Sequence, residues 1–456
     1  MQESITDKNI EVKSSVLVHD YLLMIVSNAI VSILSFATTS LLLIYLGSEK
    51  YGEIVSLTSF SLLLVILGGD WSAQAMVRFG TEEFINSGRV DRIFWNRLYL
   101  ILSCIFVVIC TSPLWGSILQ KSFDFSFYGI IFILFYIPAQ IYWYHIQRIL
   151  PSIQFHRIRY PLLALERFIV LSATILLILA DRLTVNSLLP HYVTGCILAS
   201  LFSTYLIRNV INCVAKPEKS ILLKIWLFSW PLIPTSIIGL LSTNTIDYLF
   251  IRKYDNLADL GVYALAIQIS GLIQQIPLIA GDLTTPRFVK WRLENRFDLF
   301  EDFIGHKFIP LLWLWSMTCL LAAILISQFG PAFIPENYLL ICRLAWPLSI
   351  VTSIVAIWYV IWNPILVSFE RLRIVMFSSI ATGFVNIILN YLLIPEYGVV
   401  GCAWATVFAF ATTAAVAEMW CQIIRDKQLP YRGLKLYLPP LFLLLVSFIF
   451  QSGLFQ

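Results

Sequence analysis

About thirteen apolar runs, each long enough to cross a bilayer, leave this chain few ways to fold. Inside hydrocarbon every backbone N–H and C=O must be satisfied by the protein itself, which restricts the choice to helices and closed barrels. Runs of roughly 20 apolar residues have the length of a membrane-crossing helix. The pattern predicts helices over residues 21–46, 54–76, 98–115, 127–144, 160–180, 189–207, 222–251, 260–279, 308–326, 338–367, 374–394, 399–421 and 436–450. Hydrophobic residues make up 59% of the chain and charged residues 13%. That is about half the charge of a soluble domain, so water is not the solvent for most of the chain. The sequence therefore reads as an all-α, polytopic integral membrane protein.

Positive charge stays on the cytoplasmic side of a membrane protein, so the loops orient the spans. With the N-terminus inside, the inner loops hold 24 of the 31 Lys and Arg, among them Arg89, Arg92, Arg148, Arg157, Arg159, Lys216, Lys219, Arg292 and Arg296. The outer loops hold Lys50, Lys121, Arg182, Arg252 and Lys253, and Arg167 and Arg343 fall inside spans. The net charge of +4 is thus a topology signal and gives no reason to expect a nucleic-acid partner. The first 20 residues are polar and mixed in charge, and the first apolar run is too long for a signal core, so it is expected to stay as an anchor. Eight cysteines, Cys104, Cys110, Cys196, Cys213, Cys319, Cys342, Cys402 and Cys421, form no CxxC pair and have no His nearby at ligand spacing. Free thiols and no metal are expected.

Internal repetition divides the chain. At a fixed offset of 212, Tyr51, Gly69, Asp70 and Arg78 fall on Tyr263, Gly281, Asp282 and Lys290. A second echo pairs Leu189-Pro190-His191-Tyr192, Gly195-Cys196 and Ala199-Ser200 with Ile394-Pro395-Glu396-Tyr397, Gly401-Cys402 and Ala405-Thr406. Repeats of this kind build membrane carriers from two similar bundles that rock around a site between them. The expected organisation is a six-helix lobe over residues 16–212, a second over 222–425, and an additional helix over 433–453.

Several stretches resemble one family. Leu46-Gly47-Ser48-Glu49-Lys50-Tyr51-Gly52 is similar to the LGxxxYG signature of polysaccharide exporters. Phe228-Ser229-Trp230-Pro231-Leu232-Ile233-Pro234, followed by Asp247 and Leu260-Gly261-Val262-Tyr263, follows the same family's order. So does Asn386-Ile387-Ile388-Leu389-Asn390-Tyr391-Leu392-Leu393-Ile394-Pro395-Glu396-Tyr397-Gly398-Val399-Val400-Gly401-Cys402-Ala403-Trp404-Ala405-Thr406, with Cys402-Ala403-Trp404 departing from the small residues that the family prefers. The resemblance is to Wzx-type O-antigen flippases, in the superfamily that also holds lipid II flippases and MATE drug antiporters. It implies two pseudo-symmetric six-helix lobes and the transfer of an undecaprenyl-pyrophosphate-linked oligosaccharide between leaflets of a bacterial inner membrane. A polymerase and a chain-length regulator of the same pathway are the implied protein partners. A wet, polar, cationic cavity would spare the head group the loss of its water partners while the lipid tail stays outside.

Ionisable groups inside spans are costly and usually face an interior or a water-filled path. Arg167, beside Glu166, is a candidate for the phosphates, because a planar donor fork matches phosphate oxygens; an internal Glu–Arg pair or snorkelling is the structural alternative. Arg78, its repeat partner Lys290, and Arg343 are further candidates, set against topology-setting or interfacial charge. Asp70, Asp282, Asp247 and Glu418 are candidates for coupling or gating. A buried carboxylate can take up a proton, or hold Na⁺ with backbone carbonyls, on one side and release it on the other; caps, hydrogen bonds and snorkelling are the alternatives. No cofactor is expected beyond such an ion. Pro231, Pro234, Pro277, Pro347 and Pro364 mark expected bends, and Trp313, Trp315, Trp346, Trp358 and Trp362 are not assigned to substrate. A cation-coupled drug antiporter is the second reading. A glycan polymerase or glycosyltransferase is the third, disfavoured because no long outer loop, paired-acid motif, nucleophile elbow or phosphate-cradling Gly run occurs.

Overall fold

The computed structural model describes residues 3–153, 156–211, 214–230, 233, 244–369, 371–423 and 433–451. Side chains are described from Val26 onward within those ranges, apart from a few that include Asp282 and Lys290. No strand occurs among the described residues, and nine stretches are long and apolar enough to cross a membrane. The chain forms two compact units, Met1–Gly47 with Leu57–Ser236, and Ser48–Ser56 with Ile237–Gln456.

Helix α1 (Glu3–Gly68) is two helices joined at Gly47, whose φ of 83° and ψ of 167° suit glycine alone. The expected spans 21–46 and 54–76 are its two limbs. The second limb ends at Gly68, short of the expected Met76, because a 3₁₀ turn at Asp70–Ser72 interrupts the helix before α2 (Ala73–Ser87). Gly88, in the left-handed region at φ 69°, closes α2 by donating to the Phe84 carbonyl. Helix α3 (Asp91–Cys110) has no cap of its own, and Glu83 supplies one: its carboxylate accepts from the backbone N–H groups of Arg92 and Ile93, both at 2.9 Å. Then come α4 (Ser112–Phe123), α5 (Phe127–Ser152), α6 (His156–Leu179), α7 (Val185–Ile207) and α8 (Lys219–Ser229). α5 packs against α2, α6 and α7, and Thr184 and Ser187 form a capping box at the start of α7.

The segment leading into α8 is tied to α3. The Val90 N–H donates to the Val210 carbonyl at 3.2 Å, the Tyr99 hydroxyl to the Ala215 carbonyl at 3.2 Å, and the Glu218 N–H to Asn96 Oδ1 at 2.7 Å. Arg92 clasps the Glu218 carboxylate, with Nε at 2.9 Å from Oε1, and holds that carboxyl below its ordinary range. α8 belongs to the first unit, so the expected boundary at 222 falls within a helix that packs with residues before it.

The second unit contains α9 (Asn244–Tyr254), α10 (Leu257–Leu293), α11 (Phe297–Asp302), α12 (Ile309–Phe333), α13 (Leu340–Ile357), α14 (Asn363–Ser368), α15 (Leu372–Ile423) and α16 (Leu438–Gln451). Residues 48–56 of α1 group with it for two reasons. A Cβ on Gly52 or Gly261 would overlap the backbone carbonyl of Leu257 or Ser48 respectively, so α1 and α10 touch backbone to backbone. Arg252 Nη1 also donates to Ser56 Oγ at 2.6 Å. The stretch Glu336–Ser368 is the centre of this unit, 83% buried over its most apolar window. Its helix widens into a π segment at Trp358–Trp362, one turn before Pro364. A proline ring displaces the carbonyl four residues back, here that of Val360, which instead accepts from the Thr284 hydroxyl at 3.2 Å. Pro277 and Pro347 sit inside helices, while Pro231 and Pro234 lie outside the described residues. α16 packs on this core through Leu443, through Phe442 on Trp313 and through Phe450 stacked on Trp346.

α15 reverses at Gly398 (φ 57°, ψ −144°). The hydroxyls of Thr382 and Thr413 meet across the two limbs, and a Cβ on Gly401 would overlap the Leu393 carbonyl. Both pairs centre within a residue of Gly398, so the limbs run antiparallel. The second echo does not survive this geometry. Cys402 lies four residues past the reversal, whereas Cys196 lies fifteen residues past the corresponding turn at Asp181, with Pro190 inside α7. The two stretches share composition without sharing a place in the fold.

At Gly398 a methyl group would lie 2.8 Å from Asp255 Oδ2 and would also face a glycine-only conformation. Gly398→Ala is expected to cost about 1–3 kcal/mol and to lower the melting temperature of the purified protein in detergent. Gly88→Ala, in an ordinary left-handed cap with nothing within 4 Å, is expected to cost about 1 kcal/mol. Equal melting curves for the two variants would contradict this account of the reversal.

Candidate functional site

In the second unit α9, α10 and both limbs of α15 converge on Asp247, which is 1% exposed. Oδ1 accepts from Asn386 Nδ2 at 2.9 Å and Asn390 Nδ2 at 2.7 Å; Oδ2 accepts from the Tyr263 hydroxyl at 3.1 Å and Thr406 Oγ1 at 3.2 Å. Asn386 and Asn390 are four residues apart and share one helix face. The reversal at Gly398 returns Thr406 to the same level. All four donors are neutral. An isolated buried carboxylate would cost several kcal/mol, and hydrogen bonds to a charged group return about 1.5–3 kcal/mol each, so four of them are of the size needed to hold it. Asn390 Oδ1 is buried and has no hydrogen-bond partner. The site therefore has one acceptor to spare beside its carboxylate.

The first unit buries a cation. Arg97, 1% exposed in α3, donates from Nε to Ser72 Oγ at 3.0 Å, from Nη2 to the Gly69 carbonyl at 3.3 Å and from Nη1 to His145 Nδ1 at 2.7 Å. A guanidinium has only donors, so Nδ1 accepts and the ring proton lies on Nε2, which is buried without a partner. One turn of chain away, Arg148 of α5 pairs with Asp70 at 3.2 Å, and the Asp70 carboxylate also acts on Arg97. Two guanidinium groups and one carboxylate leave the cluster positive. The 3₁₀ turn that ends α1 early is what presents Gly69, Asp70 and Ser72 together.

The expected site residues are distributed as follows. Asp247 is the centre of the second unit's cluster. Asp70 is the ion-pair partner of Arg148, an arginine that the loop count had assigned to topology alone. Arg167, with 43% of its side chain exposed, lies 3.7 Å from Glu166, which is nearly buried, and within electrostatic reach of Tyr136, Tyr144 and Tyr192. Arg78 is exposed and lies over the rings of Phe228 and Phe79, at 5.0 and 5.6 Å. Arg343 is exposed in the first turn of α13, and Glu418 is half-buried in α15. Asp282 and Lys290 lie on α10, and their side chains are outside the described residues. Sequence reading missed Arg97 and His145. Both stand at the ends of predicted spans, where a charge reads as a loop residue. Among the described residues no group of three or more His, Cys, Asp or Glu is placed to hold a metal ion.

One unit thus buries a carboxylate cluster and the other a cationic cluster, and the fold is similar to those of solved transporters of the MOP superfamily. The model of the family described as "Polysaccharide biosynthesis protein" matches residues 17–291, and this chain belongs to that family. Among solved structures, it is similar to the lipid II flippase MurJ in an inward closed conformation, with a TM-score of 0.70 and 15% identity over 95% of this chain and 99% of that one. It is also similar to an inward-facing MATE family multidrug resistance transporter of the MOP superfamily, with a TM-score of 0.66 and 15% identity over 87% and 95%. A third is the MATE multidrug transporter DinF-BH, with a TM-score of 0.62 and 12% identity over 91% and 96%. No curated protein matches the sequence.

Arg97→Leu keeps much of the volume but deletes three charge-assisted hydrogen bonds and strands His145 Nδ1, while the Gly69 carbonyl keeps the N–H and hydroxyl of Ser72 as donors. It is expected to destabilise the protein by about 3–5 kcal/mol, read as a lower melting temperature or lost monodispersity on size exclusion. Arg78→Leu on the surface is expected to change stability by less than about 1 kcal/mol. A well-folded Arg97→Leu protein with an unchanged melting temperature would show that the cluster is not structural.

Proposed function

We propose that this protein moves an undecaprenyl-pyrophosphate-linked oligosaccharide repeat unit, such as an O-antigen unit, from the cytoplasmic to the outer leaflet of a bacterial inner membrane, by alternating access. The N-terminus is cytoplasmic in this proposal, and the two lobes are the rocking bodies, α8 counted with the first and residues 48–56 with the second, with 433–453 an added helix. The observation that carries the reading is membership of a polysaccharide biosynthesis family over residues 17–291, on a transporter fold. Arg167, with its tyrosine neighbours, is the proposed head-group contact. It offers phosphate a bidentate donor. Arg78 on α2, Lys290 on α10 and Arg343 on α13 assist, and Asp282 and Glu418 stand as secondary coupling candidates. Asp70 is committed to Arg148 and takes the part of a brace. A polymerase and a chain-length regulator would consume the product.

Asp247 is the proposed coupling group. Its surroundings fit a monovalent cation. Protonated, the carboxyl gains a donor, and Asn390 Oδ1, which has no partner, becomes its acceptor once the amide turns to exchange Nδ2 for Oδ1 at Asp247. For Na⁺, rotation of the two amides would present Asn386 and Asn390 oxygens beside the carboxylate and the Thr406 hydroxyl. Asp247→Asn removes the charge in either case. It is expected to lower ion-driven translocation at least tenfold in proteoliposomes while leaving the fold intact. An unchanged rate would remove Asp247 from coupling, and dependence on imposed Na⁺ or pH gradients identifies the ion.

The substrate is tested in cells lacking the protein. Undecaprenyl-pyrophosphate-linked glycan should accumulate facing the cytoplasm, protected from an impermeant glycosidase in spheroplasts, and Arg167→Ala should restore less than a tenth of the transfer given by the unaltered gene. Glycan that reaches the outer face unpolymerised would instead reopen the enzyme reading. Normal glycan together with lost drug efflux would favour the antiporter.

A further inference from the structure

We propose that the groove between α3 and α8 of the first unit is a binding site for a phospholipid with an anionic head group, distinct from the translocated substrate. The groove encloses about 960 Å³. Leu102, Phe106 and Val107 of α3 and Leu222, Leu223 and Trp226 of α8 form its walls. Phe106 and Trp226 are 68% and 44% exposed. From Tyr99 to Val107 the wall runs about 12 Å along the helix, room for much of an acyl chain. At the start of α8 the two walls are tied together, because Tyr99 and Asn96 hold the segment entering α8 and Arg92 clasps Glu218.

Charge selects the occupant. Lys219 closes one end of the groove, and Lys216 lies on the other side of Pro217, which also lines it; both lysines are exposed. The nearby acids are already committed: Glu218 to Arg92 and Glu82 to Lys224. Among the described residues Lys216 and Lys219 have no carboxylate partner, so an uncompensated positive pair stands where an apolar groove ends. Basic sites at the ends of membrane helices recruit anionic lipids by this means. An apolar trough with two ammonium groups at one end matches a hydrocarbon chain that carries a phosphate.

The test uses the whole purified protein in nanodiscs that contain a brominated-acyl lipid, since bromine quenches a tryptophan it touches. The Trp226 contribution is the signal that Trp226→Phe removes. Brominated phosphatidylglycerol should quench it at a mole fraction roughly 25-fold lower than brominated phosphatidylcholine, about fivefold for each lysine. The double variant Lys216→Gln, Lys219→Gln, altered only at exposed positions, should bring that preference to within about twofold. Equal quenching by both lipids, or a preference that survives the double substitution, overturns the proposal. So does relief of the phosphatidylglycerol quench by one equivalent of undecaprenyl phosphate, which would assign the groove to the carrier lipid.

Discussion

A carboxylate that has left water must regain its hydrogen bonds from the protein, and Asp247 does so from three helices at once. One asparagine pair, one tyrosine and one threonine supply four donors to its two oxygens. They could not all reach it if α15 ran straight, since Asn390 and Thr406 lie sixteen residues apart in sequence, about 24 Å along an unbroken helix. The reversal at Gly398 places them side by side. Burial of Asp247 and the reversal of α15 are therefore one requirement seen from two ends.

The first unit solves the opposite problem. Its buried charge is a guanidinium, and the acceptors come from a place where a helix has failed. Gly69, Asp70 and Ser72 can offer a carbonyl, a carboxylate and a hydroxyl to α3 and α5 because α1 stops at Gly68. In the second unit the equivalent Gly281 and Asp282 lie inside the continuous α10. There the glycine serves close packing, for a Cβ at Gly281 would overlap the Tyr359 carbonyl in the π segment. Positions paired by the 212-residue offset therefore differ in local structure, with the helix broken in one unit and continuous in the other.

The all-helical class and most of the apolar spans were legible because each leaves a mark at its own position, whereas the span expected over 222–251 lies partly outside the described residues and the four donors of Asp247 were not foreseen as a group. An apolar run is long or it is not, and Asp247, Tyr263, Asn386, Asn390 and Thr406 all lie in the motifs that carried the family resemblance. Arg97 and His145 were not legible. Burial of a charge at a span's end depends on which turn of a neighbouring chain faces it, and the 3₁₀ turn at Asp70–Ser72 has no strong local signature. The same holds for Pro364: its sequence announces a bend, while the π segment and the Thr284 hydroxyl that accommodate it are tertiary facts. The second echo misled because composition near a helix start repeats without register.

α10 is fixed at two places where no side chain intervenes. Gly261 lies against the Ser48 backbone, and Gly281 lies against Tyr359. Tyr263 stands two residues from the first of these contacts and donates to Asp247. A carboxylate that takes up a proton needs fewer donors and one acceptor, and the donors held least firmly are those to release. Asn386 and Asn390 sit on a single limb and move together, whereas Thr406 has a second acceptor in the Cys402 carbonyl at 3.1 Å and can turn to it at little cost. The Tyr263 hydroxyl then has weaker reason to stay. If coupling runs through Asp247 as proposed, its first mechanical consequence falls on α10 and, through Gly261, on residues 48–56, which are continuous with α1 of the first unit.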